Sequence, residues 1–194
     1  MIKSKSDYYY YRDRDERING KSEKLKIKEL FFPNPTMVFL KILRKYEYYL
    51  NSSKILHKIP ALIYYIHYRR IALKTGISIP RNVFGAGLCI PHYGTIVVNA
   101  STKVGKNCML HACVNIGTNG GSSISPIIGN NVYIGPGAKI FGEITIADNC
   151  YIGANALVNK SFLEPFSVIV GSPAKVVKIE SRVWWEKNRL KMDL

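Results

Sequence analysis

No uninterrupted apolar run in this chain approaches membrane-spanning length, and the opening residues MIKSKSDYYYYRDRDERING are polar where a secretory signal would be apolar. These two absences lead us to expect a cytoplasmic protein. Cysteine is scarce: Cys89, Cys108, Cys113 and Cys150 show no CxxC spacing, so neither a zinc site nor a disulfide framework is indicated, and core filling is the reading for Cys108 and Cys150. No GxxxxGK phosphate loop occurs, which removes the usual signature of nucleotide hydrolysis. Carboxylates are outnumbered, 13 Asp and Glu against 28 Lys and Arg, for a net charge of +15.

That excess is uneven. Residues 1–76 hold 17 Lys and Arg against 7 Asp and Glu, residues 77–178 hold 7 against 3, and residues 179–194 hold 4 against 3. A positive front region either serves as a solvated face or attracts an anionic partner, such as an anionic acceptor or a membrane surface. Nucleic acid is not expected, because no recognised binding motif accompanies the charge.

What is present is a rhythm. An aliphatic side chain returns every sixth residue at Ile128, Ile134, Ile140, Ile146, Ile152 and Val158. Four places after each stands a second apolar residue: Val132, Ala138, Ile144, Cys150, Ala156 and the bulky Phe162. A period of six fits neither a helix nor one long strand; it describes short parallel strands stacked coil upon coil, none able to bury its apolar face alone. The beat runs upstream through Val98, Val104, Leu110 and Ile116, with Thr102, Cys108 and Val114 as inward companions. It reaches Phe84 and Ile90 only after slipping by two residues in CIPHYGTIVV, so a bulge or corner near His92 is expected to re-aim a side chain. A second irregularity, TNGGSSISP between Ile116 and Ile128, reads as a loop leaving the coil.

The region before the rhythm reads as helical. KSEKLKIKELF is short and basic, PTMVFLKILRKYEYYLN has apolar residues at helical spacing after Pro35, and IPALIYYIHYRRIALKTG ends at a glycine C-cap. The chain therefore divides into a basic helical region 1–76, a solenoid 77–178 and a short helical tail 179–194. The adjacent Trp184 and Trp185 of that tail are expected to pack back on protein rather than on a membrane. His57 and His67 are read as surface or packing residues, and the cluster Tyr8 to Tyr11 has no assigned role.

The series of [LIV]-G-x-x-x-x units, the stretch GNNVYIGPGAKIFGEITIADNCYIGANALV and the closing VIVGSPAKVV resemble the hexapeptide-repeat acyltransferases, in their serine acetyltransferase-like branch, over roughly residues 60–178. The resemblance implies a mainly β chain wound as a left-handed parallel β-helix of triangular cross-section, assembled as a homotrimer or a dimer of trimers. It also implies acetyl-CoA as co-substrate, held in a groove between neighbouring solenoids, and no metal.

In that family the general base is the histidine of an Asp-His-x-Thr-Gly segment, and PHYGTIVV resembles it with His92 at the matching place. A neutral hydroxyl is a poor nucleophile, and neutral imidazole can take its proton as the oxygen attacks a thioester. Tyr93 and His111 are the candidates for positioning the acceptor; His111 follows the inward Leu110 and should face outward. For the cofactor, the resemblance implies a pantetheine arm lying along small residues, with Gly117, Gly135, Ala138, Gly153 and Ala156 as candidates, each also explicable as turn or core. Lys175 in GSPAKVV matches a basic residue near the nucleotide phosphates, and Lys160 is a second choice.

Three positions depart from the family pattern. An aspartate fifteen residues before the base corresponds to Ile77, beside Ser78; a glutamate eight residues after it corresponds to Ala100; and an Arg-His pair in the long loop corresponds to Ile124 and Ser125. Apolar groups cannot pair the charges of free serine, and an unpaired buried charge is costly. The expected acceptor is therefore a sugar hydroxyl in capsule or exopolysaccharide assembly, with serine O-acetylation in cysteine biosynthesis as the alternative. A zinc solenoid enzyme of the γ-carbonic anhydrase type needs three histidines, and only His92 and His111 fall within the repeat. A purely structural solenoid would need neither a base at a register break nor the SPAK terminus.

Overall fold

The computed structural model describes residues 1–20, 31–120 and 122–187; the segment KSEKLKIKELF lies almost wholly outside them. Helix α1 (Lys5–Ile18) begins with a capping box, in which the Ser4 hydroxyl accepts from Asp7 N and the Asp7 carboxylate accepts from Ser4 N. Helix α2 (Pro35–Leu50) starts on proline behind Asn34, whose side chain accepts from Thr36 N. Helix α3 (Lys58–Thr75) stops where Gly76 adopts φ 71°, the left-handed C-cap that the sequence predicts. Helix α1 falls within the region 1–76 read as helical, although the sequence reading names no helix of its own there.

Short strands then stack into three walls. The first contains β1 (Ile77–Ser78), β2 (Ile96–Val98), β5 (Asn115–Gly117), β8 (Lys139–Phe141) and β11 (Leu157–Val158). The second contains β3 (Lys103–Val104), β6 (Ile127–Ile128) and β9 (Thr145–Ile146). The third contains β4 (Met109–Leu110), β7 (Tyr133–Ile134), β10 (Tyr151–Ile152) and β12 (Ser167–Val170), closed by β13 (Lys175–Ile179), which runs antiparallel to β12. Tyr133 pairs with Tyr151, and Lys139 with Leu157, both eighteen residues on, so each full coil is three six-residue units, one per wall.

The period of six is the interior. Ile128, Ile134, Ile140, Ile146, Ile152 and Val158 are all at most 2% exposed, and Val132, Ala138, Cys150 and Ala156 are sealed between them. Burying each large aliphatic contributes about 1.5–3 kcal/mol. At one corner Asn107, Asn131 and Asn149 take φ of 55°, 57° and 63° and form a ladder, each Nδ2 donating to the next Oδ1 at 2.9 and 2.8 Å. Asparagine enters this left-handed region at low cost.

Both predicted irregularities are present. Phe84 pairs with Val104 and Cys89 with Met109, twenty residues on, whereas Val97 pairs with Asn115, eighteen on. The two extra residues are therefore absorbed between Cys89 and Val97. Likewise Val98 pairs with Ile116 but Lys103 with Ile127, so six extra residues leave the coil after Gly117.

Phe39, Leu40 and Leu43 of α2 and Tyr68 of α3 continue the apolar core below the first coil. Among them Arg44 is fully buried and uses its whole guanidinium: Nε donates to Asp15 Oδ2, Nη1 to Glu47 Oε2 and Phe84 O, and Nη2 to Gly85 O and Asp15 Oδ1. Burial works against its charge, and the Asp15 and Glu47 carboxylates more than reverse this, so its pKa is raised. The tail helix α4 (Trp184–Lys187) packs Trp184 and Trp185 outside the third wall against Cys89, Met109, Tyr133 and Tyr151. The Trp184 and Trp185 indoles donate to Asn107 O at 2.9 Å and Asn131 Oδ1 at 3.2 Å. Among the described residues, no helix is long and apolar enough to cross a membrane.

Candidate active site

The break in register creates the site. Ile90 and Val98 are both interior and eight residues apart where the equivalent Leu110 and Ile116 are six apart, so the chain between them crosses the corner from the third wall to the first with two residues more than a regular unit needs. The surplus is accommodated by Gly94 at φ 145°, whose N–H donates to Thr75 O at 2.9 Å, and where an added Cβ would come within 3.3 Å of Ala112 Cβ. His92 and Tyr93 are consequently turned outside the prism, both exposed.

His111 stands on the same corner one coil later, because Leu110 N donates to Cys89 O at 2.9 Å and carries the next residue alongside Pro91. It faces outward as expected but is half-buried, its ring 5.1 Å from that of Tyr133 and its Nε2 buried without a hydrogen-bond partner among the described residues. Burial chiefly, and the charge of a protonated His92 secondarily, hold the His111 pKa below the usual histidine range. Two imidazoles thus share one corner, and the more buried binds a proton less readily than an ordinary histidine.

Sequence reasoning passed over the surface beside them. Val97, Asn115, Lys139 and Leu157 form one outward ladder on the first wall, and Lys139 Nζ donates to Cys113 O at 2.7 Å. Each directly precedes an inward aliphatic, a signal the repeat offers at every coil. Cys113 itself has φ 63°, at the place where Gly137 (φ 75°) and Asn155 (φ 56°) stand in later coils.

The small residues proposed for a cofactor separate into three kinds. At Gly117 an added Cβ would meet only Asn115 Oδ1, at 3.7 Å, so the wall there is slim and open. At Gly135 it would lie 2.8 Å from Ala154 N and at Gly153 2.7 Å from Val170 Cγ1, so those glycines are required by the stacking of the next coil. Ala138 and Ala156 are fully buried interior plugs, and the expectation that they offer a slim outer surface is corrected: they fall four places after Ile134 and Ile152, the inward phase of the repeat. Lys160 lies exposed over the Phe162 ring at 5.5 Å, and Lys175 is exposed at the start of β13.

The acceptor positions also need correction. Ile77 is 1% exposed and pairs with Ile96, so it is a core residue of the first coil and only its neighbour Ser78 faces outward. Ser125 is buried, its Oγ without a partner among the described residues, while Ala100 and Ile124 are exposed. Among the described residues, no group of three His, Cys, Asp or Glu side chains could hold a metal ion.

The family model "bacterial transferase hexapeptide (six repeats)" matches residues 125–160. A serine acetyltransferase of Mycobacterium tuberculosis is 38% identical over 106 residues, 53% of this chain and 46% of that protein. One of Helicobacter pylori is 39% identical over 106 residues, 53% of this chain and 61% of that protein. The chain spans about half the length of the curated relatives it matches. Soybean serine acetyltransferase apoenzyme superposes with a TM-score of 0.70 at 23% identity, covering 89% of this chain and 69% of that one. Neisseria gonorrhoeae serine acetyltransferase gives 0.71 at 20% identity, covering 98% and 73%. These likenesses give the prism its hand, a left-handed parallel β-helix. Residues 125–160 carry the repeat of the bacterial hexapeptide transferases, and about half of the chain is similar to serine acetyltransferases.

Proposed function

We propose that the chain is an acetyl-CoA-dependent O-acetyltransferase with His92 as general base. The observation that supports it is the exposed imidazole at the two-residue break, on the corner where the half-buried His111 stands one coil later. His92 takes the proton of the acceptor hydroxyl as its oxygen attacks the thioester carbonyl. The tetrahedral oxyanion then collapses, the C–S bond breaks, and the CoA sulfur leaves with the proton returned by His92. His111 and Tyr93 position the acceptor. The open wall at Gly117 suits the pantetheine arm, Lys160 and Lys175 are the cations offered to phosphates, and a neighbouring solenoid of a homotrimer closes the groove.

For the acceptor, the sequence expectation gives way. The relatives named above are serine acetyltransferases, and nothing in those comparisons supports a polysaccharide role, so free serine is the better-supported acceptor. The inward placement of Ile77 also removes one of the three arguments against serine, since that position never faced the acceptor. A sugar hydroxyl remains the second reading on one observation: Ala100 and Ile124 present apolar surface where the family grips a charged amino acid. Incubating the protein with acetyl-CoA and either L-serine or a panel of sugars, while following release of the CoA thiol, decides between them. O-acetylserine formation supports the first reading, turnover with sugar alone supports the second, and turnover with neither acceptor counts against both.

A further inference from the structure

The outer face of α3 contains none of the residues placed in the candidate active site. The helix turns Ala61, Tyr68 and Thr75 inward, and the opposite side carries Ile59, Leu62, Ile66 and Leu73, which are 71, 60, 43 and 80% exposed. At a helix's turn of about 100° per residue these four fall within a stripe about 60° wide, too narrow and regular to be scattered surface aliphatics. Ile55 and Leu56, 73 and 80% exposed, extend it at the N-terminal end. Lys58 and Arg69 flank the stripe on one side and Arg70 and Lys74 on the other.

Two further observations say what such a face meets. Between Glu47 and Glu143 the chain contains no acidic residue at all, so no carboxylate of that stretch offsets these cations. Beside the stripe, and sharing Leu62 with it, a cleft of about 490 Å³ between α2 and α3 is lined by Tyr46, Tyr49, Tyr65, Lys58 and Arg81, with Arg81 Nη1 donating to the Tyr46 hydroxyl at 3.2 Å. Cations and phenols grouped next to an aliphatic ridge match a phosphate headgroup above acyl chains. A second copy meeting it through the same face would bring like charges together, which opposes a two-fold contact there.

We infer that α3 docks on an anionic lipid bilayer, with its aliphatic stripe in the interfacial region and Lys58, Arg69, Arg70 and Lys74 against the headgroups. The test is co-sedimentation of the full chain with phosphatidylcholine vesicles and with vesicles that also contain phosphatidylglycerol. The bound fraction should rise with phosphatidylglycerol and fall with salt. Arg69→Gln with Arg70→Gln should lower the partition coefficient about 25-fold, at about fivefold for each basic residue near an anionic surface. Leu62→Asp with Ile66→Asp should abolish binding, while acetyl transfer in solution stays at the level of the unaltered protein. Equal binding to both vesicle types, binding that survives both double variants, or an oligomer that Ile66→Asp dissociates would each overturn the inference, the last by showing that a second copy covers the stripe.

Discussion

Arg44 Nε donates to Asp15 Oδ2 at 2.8 Å, and both side chains are shut off from solvent. Through this pair the helices grip the stretch of solenoid that leads to His92. Asp15 Oδ1 accepts from Gly87 N and Leu88 N, both at 2.8 Å, Arg44 holds Phe84 O and Gly85 O, and Asn19 Oδ1 accepts from Ile90 N at 3.1 Å. The register break therefore begins from a fixed point.

Removing the guanidinium leaves two buried carboxylates unpaired. Arg44→Met is expected to cost about 3–5 kcal/mol of stability, measured by denaturant unfolding. Arg44→Lys keeps the charge but loses the planar fork, so it should be milder in stability and still lower kcat. A loss under about 1 kcal/mol for Arg44→Met would mean the cluster contributes little.

His111 gives the structure a pH dependence of known sign. Its folded-state pKa is depressed, so the unfolded chain binds the proton more readily. The associated stability is present above the ordinary histidine range, about 6.5, and is lost as pH falls through it. Thermal unfolding followed from neutral to mildly acid pH should show a fall in Tm that His111→Gln reduces. An identical profile in the variant would contradict the assigned environment.

Gly117 and Gly135 separate cofactor contact from coil stacking. Gly135→Ala forces a methyl against the backbone of the next coil and is expected to cost about 1–3 kcal/mol. Gly117→Ala has room, so its melting temperature should be unchanged while KM for acetyl-CoA rises about fivefold to tenfold, a loss of about 1 kcal/mol of binding. Unfolding curves and initial rates check both.

The four thiols should react in two classes. Cys113 is exposed, whereas burial pushes Cys89 up to about 12 and also raises Cys108 and Cys150. A thiol reagent on the native protein is expected to label Cys113 first and the others only on unfolding. Cys113→Gly should also relieve the left-handed backbone at φ 63° and stabilise the fold by about 1 kcal/mol. Rapid labelling of Cys89 in the folded state would contradict this burial pattern.

Much of the solenoid is legible in the text because its physics is local and periodic. Ile134 and Ile152 fill equivalent sites, so one rule places both, and the slip in PHYG announces itself against that rule. The expectations carried over from the resemblance fail where they run against facing: Ala138 and Ala156 sit on the inward phase of the repeat and are interior, and Ile77, at the place of a family carboxylate, is a plug. Helix α1 escaped because its text is polar, although Ser4 and Asp7 at capping-box spacing signalled its start. The Arg44–Asp15 pair spans 29 residues and depends on how helices dock, which no local pattern encodes. Of the candidate site, His92 follows from the register break together with the resemblance of PHYGTIVV to the family motif, while the ladder of Asn115 and Lys139, with Lys139 reaching Cys113 O, forms only once the coils are stacked.

The central claim is that the His92 imidazole takes the acceptor's proton. Steady-state CoA release by His92→Gln, in protein whose circular dichroism and melting match those of the unaltered chain, tests it most directly. The expected result is a fall in kcat of about 10²–10⁴-fold with KM for acetyl-CoA little changed. Undiminished turnover by that folded variant would contradict it.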